Sequence, residues 1–151
     1  MIEIRHASKE DEKDLLDWRN DRLTVSTSLS NSAVLPENHA KWFGDIVKKK
    51  NCPILIAEQN NQKIGMVRFD KSKNCFMVSI NLNPIHRGKG LGPRVLLRAE
   101  DFFFTKRSEI VAQVKAENIA SVKLFTKCGY NLIENKDNNS LELIFTKAVL
   151  I

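Results

Sequence analysis

The stretch Asn83-Pro84-Ile85-His86-Arg87-Gly88-Lys89-Gly90-Leu91-Gly92-Pro93 constrains this chain more than any other. Before it, Phe76, Val78, Ile80 and Leu82 alternate with Met77, Ser79 and Asn81, the two-residue period of a strand. Asn83 and Pro84 end that strand, since proline has no N–H to give a ladder. After it, Val95, Leu96, Leu97, Ala99 and Phe102 supply the apolar positions of a helix. Pro93 suits the first turn of that helix, where a missing N–H leaves nothing unsatisfied. Gly88, Gly90 and Gly92 let bare backbone come close to a ligand. Free N–H groups and the positive end of the helix dipole make such a strand, turn and helix an anion site, with Arg87 and Lys89 beside it.

The rest of the chain supplies a sheet and helices around this unit. Ile2 to His6 alternates as an opening strand. Ser8 caps a helix whose first turn carries Glu10, Asp11 and Glu12 and whose apolar side is Leu15, Leu16 and Trp18. Thr24 to Val34, rich in Ser, Thr and Asn, reads as a loop. Pro36 starts a second helix, with His39, Trp42, Phe43, Ile46 and Val47 at helical spacing. Ile54 to Glu58 and Lys63 to Phe69 are strands joined at Asn60-Asn61, and Lys71 to Asn74 is a turn into the strand that opens the glycine stretch. The short connections make these strands an antiparallel meander. Ile110 to Val114 is a fifth strand, and Asn118 to Cys128 a short helix stopped by Gly129. Tyr130 to Ile133 and Leu141 to Thr146 form a last hairpin around Lys136 to Asn139.

Charge and cysteine usage narrow the function classes. The 151 residues form a single domain, residues 1–151, with a net charge of +6 that suits a polyanionic small ligand and equally an ordinary lysine-rich surface. No basic stripe with interleaved aromatics points to nucleic acid. No apolar run is long enough for a membrane span, and the first residues lack the apolar stretch of a signal peptide. Cys52, Cys75 and Cys128 are unpaired in spacing, so a disulfide framework or a metal site is not expected, and a reducing, cytoplasmic setting fits.

No Gly-Lys-Ser/Thr follows the glycines, so this is not a P-loop, and its mid-chain place speaks against a dinucleotide fingerprint. Arg87, Gly90 and Gly92 resemble the Arg/Gln-x-x-Gly-x-Gly/Ala signature of the GNAT N-acetyltransferases. Asn118, Ser121, Phe125 and Gly129-Tyr130 resemble the second signature of that family, and the element order follows its fold. The resemblance implies an α/β (α+β) GNAT fold: a mixed, mostly antiparallel sheet of about seven strands, flanked by four helices and splayed after the fourth strand. It implies acetyl-CoA as acetyl donor and no metal. Backbone groups of Arg87, Gly88, Lys89, Gly90, Leu91 and Gly92 would then hold the pyrophosphate, and the N–H of Leu82 would face the acetyl carbonyl. Asn118, Ser121 and Phe125 would line the coenzyme arm. A simple helix cap would account for Asn118 as well.

Acetyl transfer to an amine needs a neutral amine, a polarised carbonyl and a proton for the leaving thiolate. Where the family often carries a tyrosine acid, this chain has Phe125, and its one tyrosine, Tyr130, sits at a position that packs into the core. Ser121 or a water is left to supply the proton, or no acid at all, since a thiolate is a tolerable leaving group. A glutamate often found on the fourth strand is replaced by Met77, so Ser79 and Asn81 are the polar groups available to hold a water beside the amine. Trp18-Arg19-Asn20 followed by His39-x-x-Trp42-Phe43 resembles the GNAT enzymes that acetylate nucleotide-linked amino sugars in pseudaminic and related nonulosonic acid biosynthesis. Arg19, His39 and Trp42 would then bind the nucleotide. The alternatives are a protein N-terminal acetyltransferase of the ribosomal-protein type and an acyl-CoA-binding domain with weakened catalysis. The partners expected are small molecules; a homodimer stays open.

Overall fold

The computed structural model describes residues 1–49, 51–135 and 142–150. Its elements are β1 (Glu3–His6), α1 (Glu12–Arg19), α2 (Arg22–Thr27), α3 (Pro36–Ile46), β2 (Ile54–Gln59), β3 (Gln62–Ser72), β4 (Cys75–Leu82), α4 (Leu91–Phe103), β5 (Ser108–Lys115), α5 (Ile119–Lys127), β6 (Asn131–Asn135) and β7 (Glu142–Val149). Seven strands form one mixed sheet in the order β1-β2-β3-β4-β5-β7-β6. Every neighbouring pair is antiparallel except β4 and β5.

Helices cover both faces, and the sequence shows why. The run Ile54-Leu55-Ile56-Ala57 is apolar at every position because β2 is buried on both sides. Ile54 and Ile56 pack with Leu15 and Trp18 of α1 and Phe43 and Ile46 of α3. Leu55, with Val67 and Phe69 of β3, packs against Val95, Leu96 and Ala99 of α4. Positions 39, 43 and 46 of α3 fall on one buried stripe, as helical spacing requires. Among the described residues, no helix is long and apolar enough to cross a membrane.

Three expectations are corrected. The segment from Thr24 is not wholly loop: Arg22–Thr27 forms α2, with the Asp21 carboxylate accepting from the Thr24 N–H at 3.3 Å as its cap. α2 buries no residue, so it carries no apolar period, and it raises the helix count among the described residues from four to five. Ser8 caps a 3-10 turn at Lys9–Asp11 rather than α1 itself. The tight turn after β3 is shorter than expected, at Lys73-Asn74, with Lys73 at φ 48°. The turn expected at 136–139 lies outside the described residues.

The feature that positions a site is the join between β4 and β5. They pair in parallel only at Phe76–Ile110 and Met77–Val111. β4 continues to Leu82 and β5 to Lys115 without further pairing, so the sheet opens there.

Candidate active site

The opening has unused backbone groups. The N–H of Asn83 donates to Ile64 O at 2.9 Å, toward β3. Successive N–H groups of an extended chain point to opposite edges, so the N–H of Leu82 points toward the gap beside β5. A donor at the lip of a split sheet is placed to polarise a carbonyl inserted there.

At the same opening, on the side covered by α1 and α3, lies a cavity of about 540 Å3. It gathers side chains distant in sequence: Arg19 from α1, His39 and Trp42 from α3, and Ser79 and Asn81 from β4. Asn118, Ser121 and Phe125, from α5 and its cap, line it as well. Asn118 does cap α5, its Oδ1 accepting from the Ser121 N–H at 3.2 Å, which leaves its amide end able to face a ligand. Asn81 Oδ1 accepts from Thr24 Oγ1 at 3.3 Å, so α2 is tied to β4 at the cavity edge.

The glycine loop lies outside this cavity, at the start of α4. Gly88 and Gly90 have φ of 74° and 70°, the left-handed region that glycine enters without penalty. Nothing lies within 4 Å of where a Cβ would be at either, so the backbone there is open to an approaching group. Gly92 is different. A Cβ there would sit 2.6 Å from Leu124 Cδ1, so this glycine lets α4 and α5 pack closely. The Leu91 side chain is buried in the core, and only its backbone is available to a ligand. The Arg87 guanidinium donates to Asp21 at 2.7 Å and to Thr24 Oγ1 at 2.7 Å, turned toward α2.

The cavity is electropositive. Arg19, Arg68 and Lys115 line it together with His39, and no carboxylate does among the described residues. Burial, and next to it the charge of Arg68, lower the pKa of Arg19 from its ordinary value. Burial likewise lowers that of His39, with Glu12 acting weakly the other way. The His39 ring lies stacked on Phe43 at 5.7 Å and tilted against Trp42 at 5.6 Å. Phe125 brings no proton to the cavity. Tyr130 is buried apart from it, its hydroxyl donating to Glu100 at 2.8 Å while Lys147 holds the other carboxylate oxygen at 2.6 Å. Burial first, then Glu100, push its phenol far up from its ordinary value, as expected of a core tyrosine and not of an acid.

Sequence reasoning missed Arg68 and Thr24. Arg68 stands opposite Ser79 in the β3–β4 ladder, on the face that carries Met66 and Asn81. The alternation of β3 marks it as sharing a face with them. Among the described residues, no group of three or more His, Cys, Asp or Glu comes together.

Comparison with known proteins agrees with this geometry. A family model described as an acetyltransferase (GNAT) domain matches residues 2–131. An L-methionine sulfoximine/L-methionine sulfone acetyltransferase of Salmonella typhimurium is 24% identical over 137 residues, 85% of this chain and 80% of its own. An L-amino acid N-acyltransferase of Escherichia coli is 25% identical over 137 residues, 85% of this chain and 79% of its own. The structure of spermidine N-acetyltransferase from Vibrio cholerae, in complex with CoA and spermine, superposes with a TM-score of 0.78 at 18% identity, covering 99% of this chain and 95% of that one. That last likeness is one of fold alone. A split between β4 and β5, a glycine turn at the head of α4 and a family match over most of the chain have one reading: the chain belongs to the GNAT acetyltransferases.

Proposed function

We propose that this N-acetyltransferase moves an acetyl group from acetyl-CoA to the amine of a nucleotide-linked amino sugar, by direct attack in a ternary complex. The observation that carries the reading is one shared cavity. It holds Arg19, His39 and Trp42 together with Ser79, Asn81 and Ser121 at the mouth of the β4–β5 split. In this reading the coenzyme's pyrophosphate rests on the amides of Gly88 to Leu91 at the head of α4. Its arm runs past Asn118 and Ser121, and the acetyl carbonyl accepts from the Leu82 N–H.

The amine nitrogen attacks the thioester carbon, and the C–N bond forms as the C–S bond breaks. The sulfur leaves as thiolate and takes up a proton, and the amine gives one up. With no carboxylate lining the cavity among the described residues, the amine proton passes to a water held by Ser79 and Asn81. Ser121, or a water beside it, protonates the sulfur. His39 and Trp42 offer flat faces to the nucleotide base, and Arg19 offers a planar fork of donors.

The test is steady-state kinetics with acetyl-CoA and matched acceptors. Arg19→Ala and His39→Ala each raise KM for a nucleotide-linked amino sugar, by an amount corresponding to about 1–3 kcal/mol. Both leave KM for acetyl-CoA unchanged. Equal acetylation of the free amino sugar and its nucleotide-linked form rejects the acceptor assignment. A free amino acid is the second reading, favoured by the acceptors named for the two curated relatives.

A further inference from the structure

Four buried side-chain nitrogens among the described residues lack a hydrogen-bond partner: Arg19 Nη1, His39 Nδ1, Arg68 Nε and His86 Nε2. The first three belong to residues that line the same cavity. A buried donor without a partner is costly, and native proteins rarely keep one except where a ligand or water completes it. Arg19 and Arg68 are close enough for the charge of one to weigh on the other. Among the described residues, no carboxylate lines the cavity; the carboxylate paired with Arg68 is Asp70, outside the wall.

Each guanidinium is held in place by something that does not use it up. Arg19 Nη2 donates to Ser30 Oγ at 3.1 Å, which leaves Nη1 unpaired. Arg68 lies over the Trp42 ring at 5.2 Å, a cation–π contact that fixes the guanidinium and satisfies none of its N–H groups. Its Nε is 2.7 Å from Asp70 Oδ2, an ion pair off hydrogen-bond geometry, and Asp70 is not part of the cavity wall. Lys115, the remaining cation, is occupied by Ser26 O and Asn31 Oδ1.

We propose that Arg19 and Arg68 form an anion subsite of the acceptor cavity, which takes a phosphate or carboxylate of the acceptor and rejects polycationic amines. Two planar forks of donors suit the paired oxygens of either group, which Lys would meet only as a point charge. A polyamine placed here would meet two arginines on a wall that carries no carboxylate among the described residues. The subsite thus separates this chain's acceptor from the one named for its Vibrio neighbour in fold. It rests on reading the cavity as an acetyl-acceptor site, but not on the identity of the sugar.

The test is calorimetric titration of the full chain saturated with coenzyme A, so that the glycine loop is occupied. UDP is compared with uridine, L-methionine with L-methioninamide, and spermidine is run alone. At least one charged probe binds at least tenfold more tightly than its uncharged counterpart, and spermidine does not bind. Preference for UDP alone identifies a phosphate acceptor, and preference for methionine alone a carboxylate acceptor. Arg68→Gln and, separately, Arg19→Gln abolish the preference, and Arg68→Lys restores part of it. No charged-over-uncharged preference in the wild-type protein overturns the subsite, as does spermidine binding or a preference that survives in both folded Gln variants. Anion preference without acetylation of any amino-sugar nucleotide defeats the nucleotide-sugar assignment and keeps the subsite. Acetylation of such a sugar with unchanged KM in Arg68→Gln does the reverse.

Discussion

Arg87 Nη1 donates to Asp21 Oδ2 at 2.7 Å and so ties the residue before the glycine loop to the cap of α2. The same guanidinium reaches Thr24 Oγ1, which in turn bonds Asn81 on the cavity edge. Lys115 at the end of β5 holds the other end of α2 through Ser26 O. α2 therefore spans both lips of the split sheet and depends on bonds made by β4, β5 and the loop between β4 and α4.

Asp21→Asn tests that strap. Asparagine caps a helix as well as aspartate does, so α2 keeps its cap and loses its ion pair. Both partners are half-buried, and the pair is worth ~1 kcal/mol. KM for the acceptor therefore rises about fivefold while the dissociation constant for acetyl-CoA stays within about twofold. Separate titrations of the two substrates check this.

Gly90→Ala and Gly92→Ala fail in different ways. At Gly90, φ of 70° makes a side chain strained, and nothing lies within 4 Å of where its Cβ would be, the space in which the pyrophosphate is proposed to rest. Acetyl-CoA affinity drops at least about tenfold with the fold intact. At Gly92 the new Cβ meets Leu124, and overpacking costs about 1–3 kcal/mol of stability. Leu124→Val recovers part of it. Calorimetric affinity and urea unfolding of both variants separate the two effects.

Phe125→Tyr keeps turnover or raises it, because it puts a phenol on the cavity wall where Phe125 stands. Tyr130→Phe leaves turnover unchanged, since that hydroxyl is bonded to Glu100 outside the cavity. It lowers stability by about 1.5–3 kcal/mol through the lost bond to a charged group. Turnover and unfolding measured together check the pair.

His39 gives stability a pH dependence of known sign. Burial lowers its folded pKa below the unfolded value near 6.5, so the unfolded chain binds the proton first. The stability tied to neutral His39 is complete above that unfolded value and is lost as pH falls from it through the folded one. His39→Phe removes this contribution. Urea unfolding at about pH 7.5 and about pH 5.5 shows a smaller loss in the variant than in the wild type.

The glycine turn, the buried stripe of α3 and the strand alternation of β4 were legible in the sequence because each is a local matter. A missing Cβ, a 3.6-residue period and a 2-residue period state their geometry without reference to the rest of the chain. Alternation also told which side chains of β4 share a face, and Ser79 and Asn81 were found in that way. It could not tell that the face of β3 carrying Arg68 would end in a cavity rather than in solvent or core. That depended on β4 and β5, which are far apart in sequence, parting after Met77 and Val111. α2 was hidden for the same reason. With no apolar stripe, its place is set by Asp21, Thr24 and Ser26 bonding to Arg87, Asn81 and Lys115, partners that only the folded chain brings within reach.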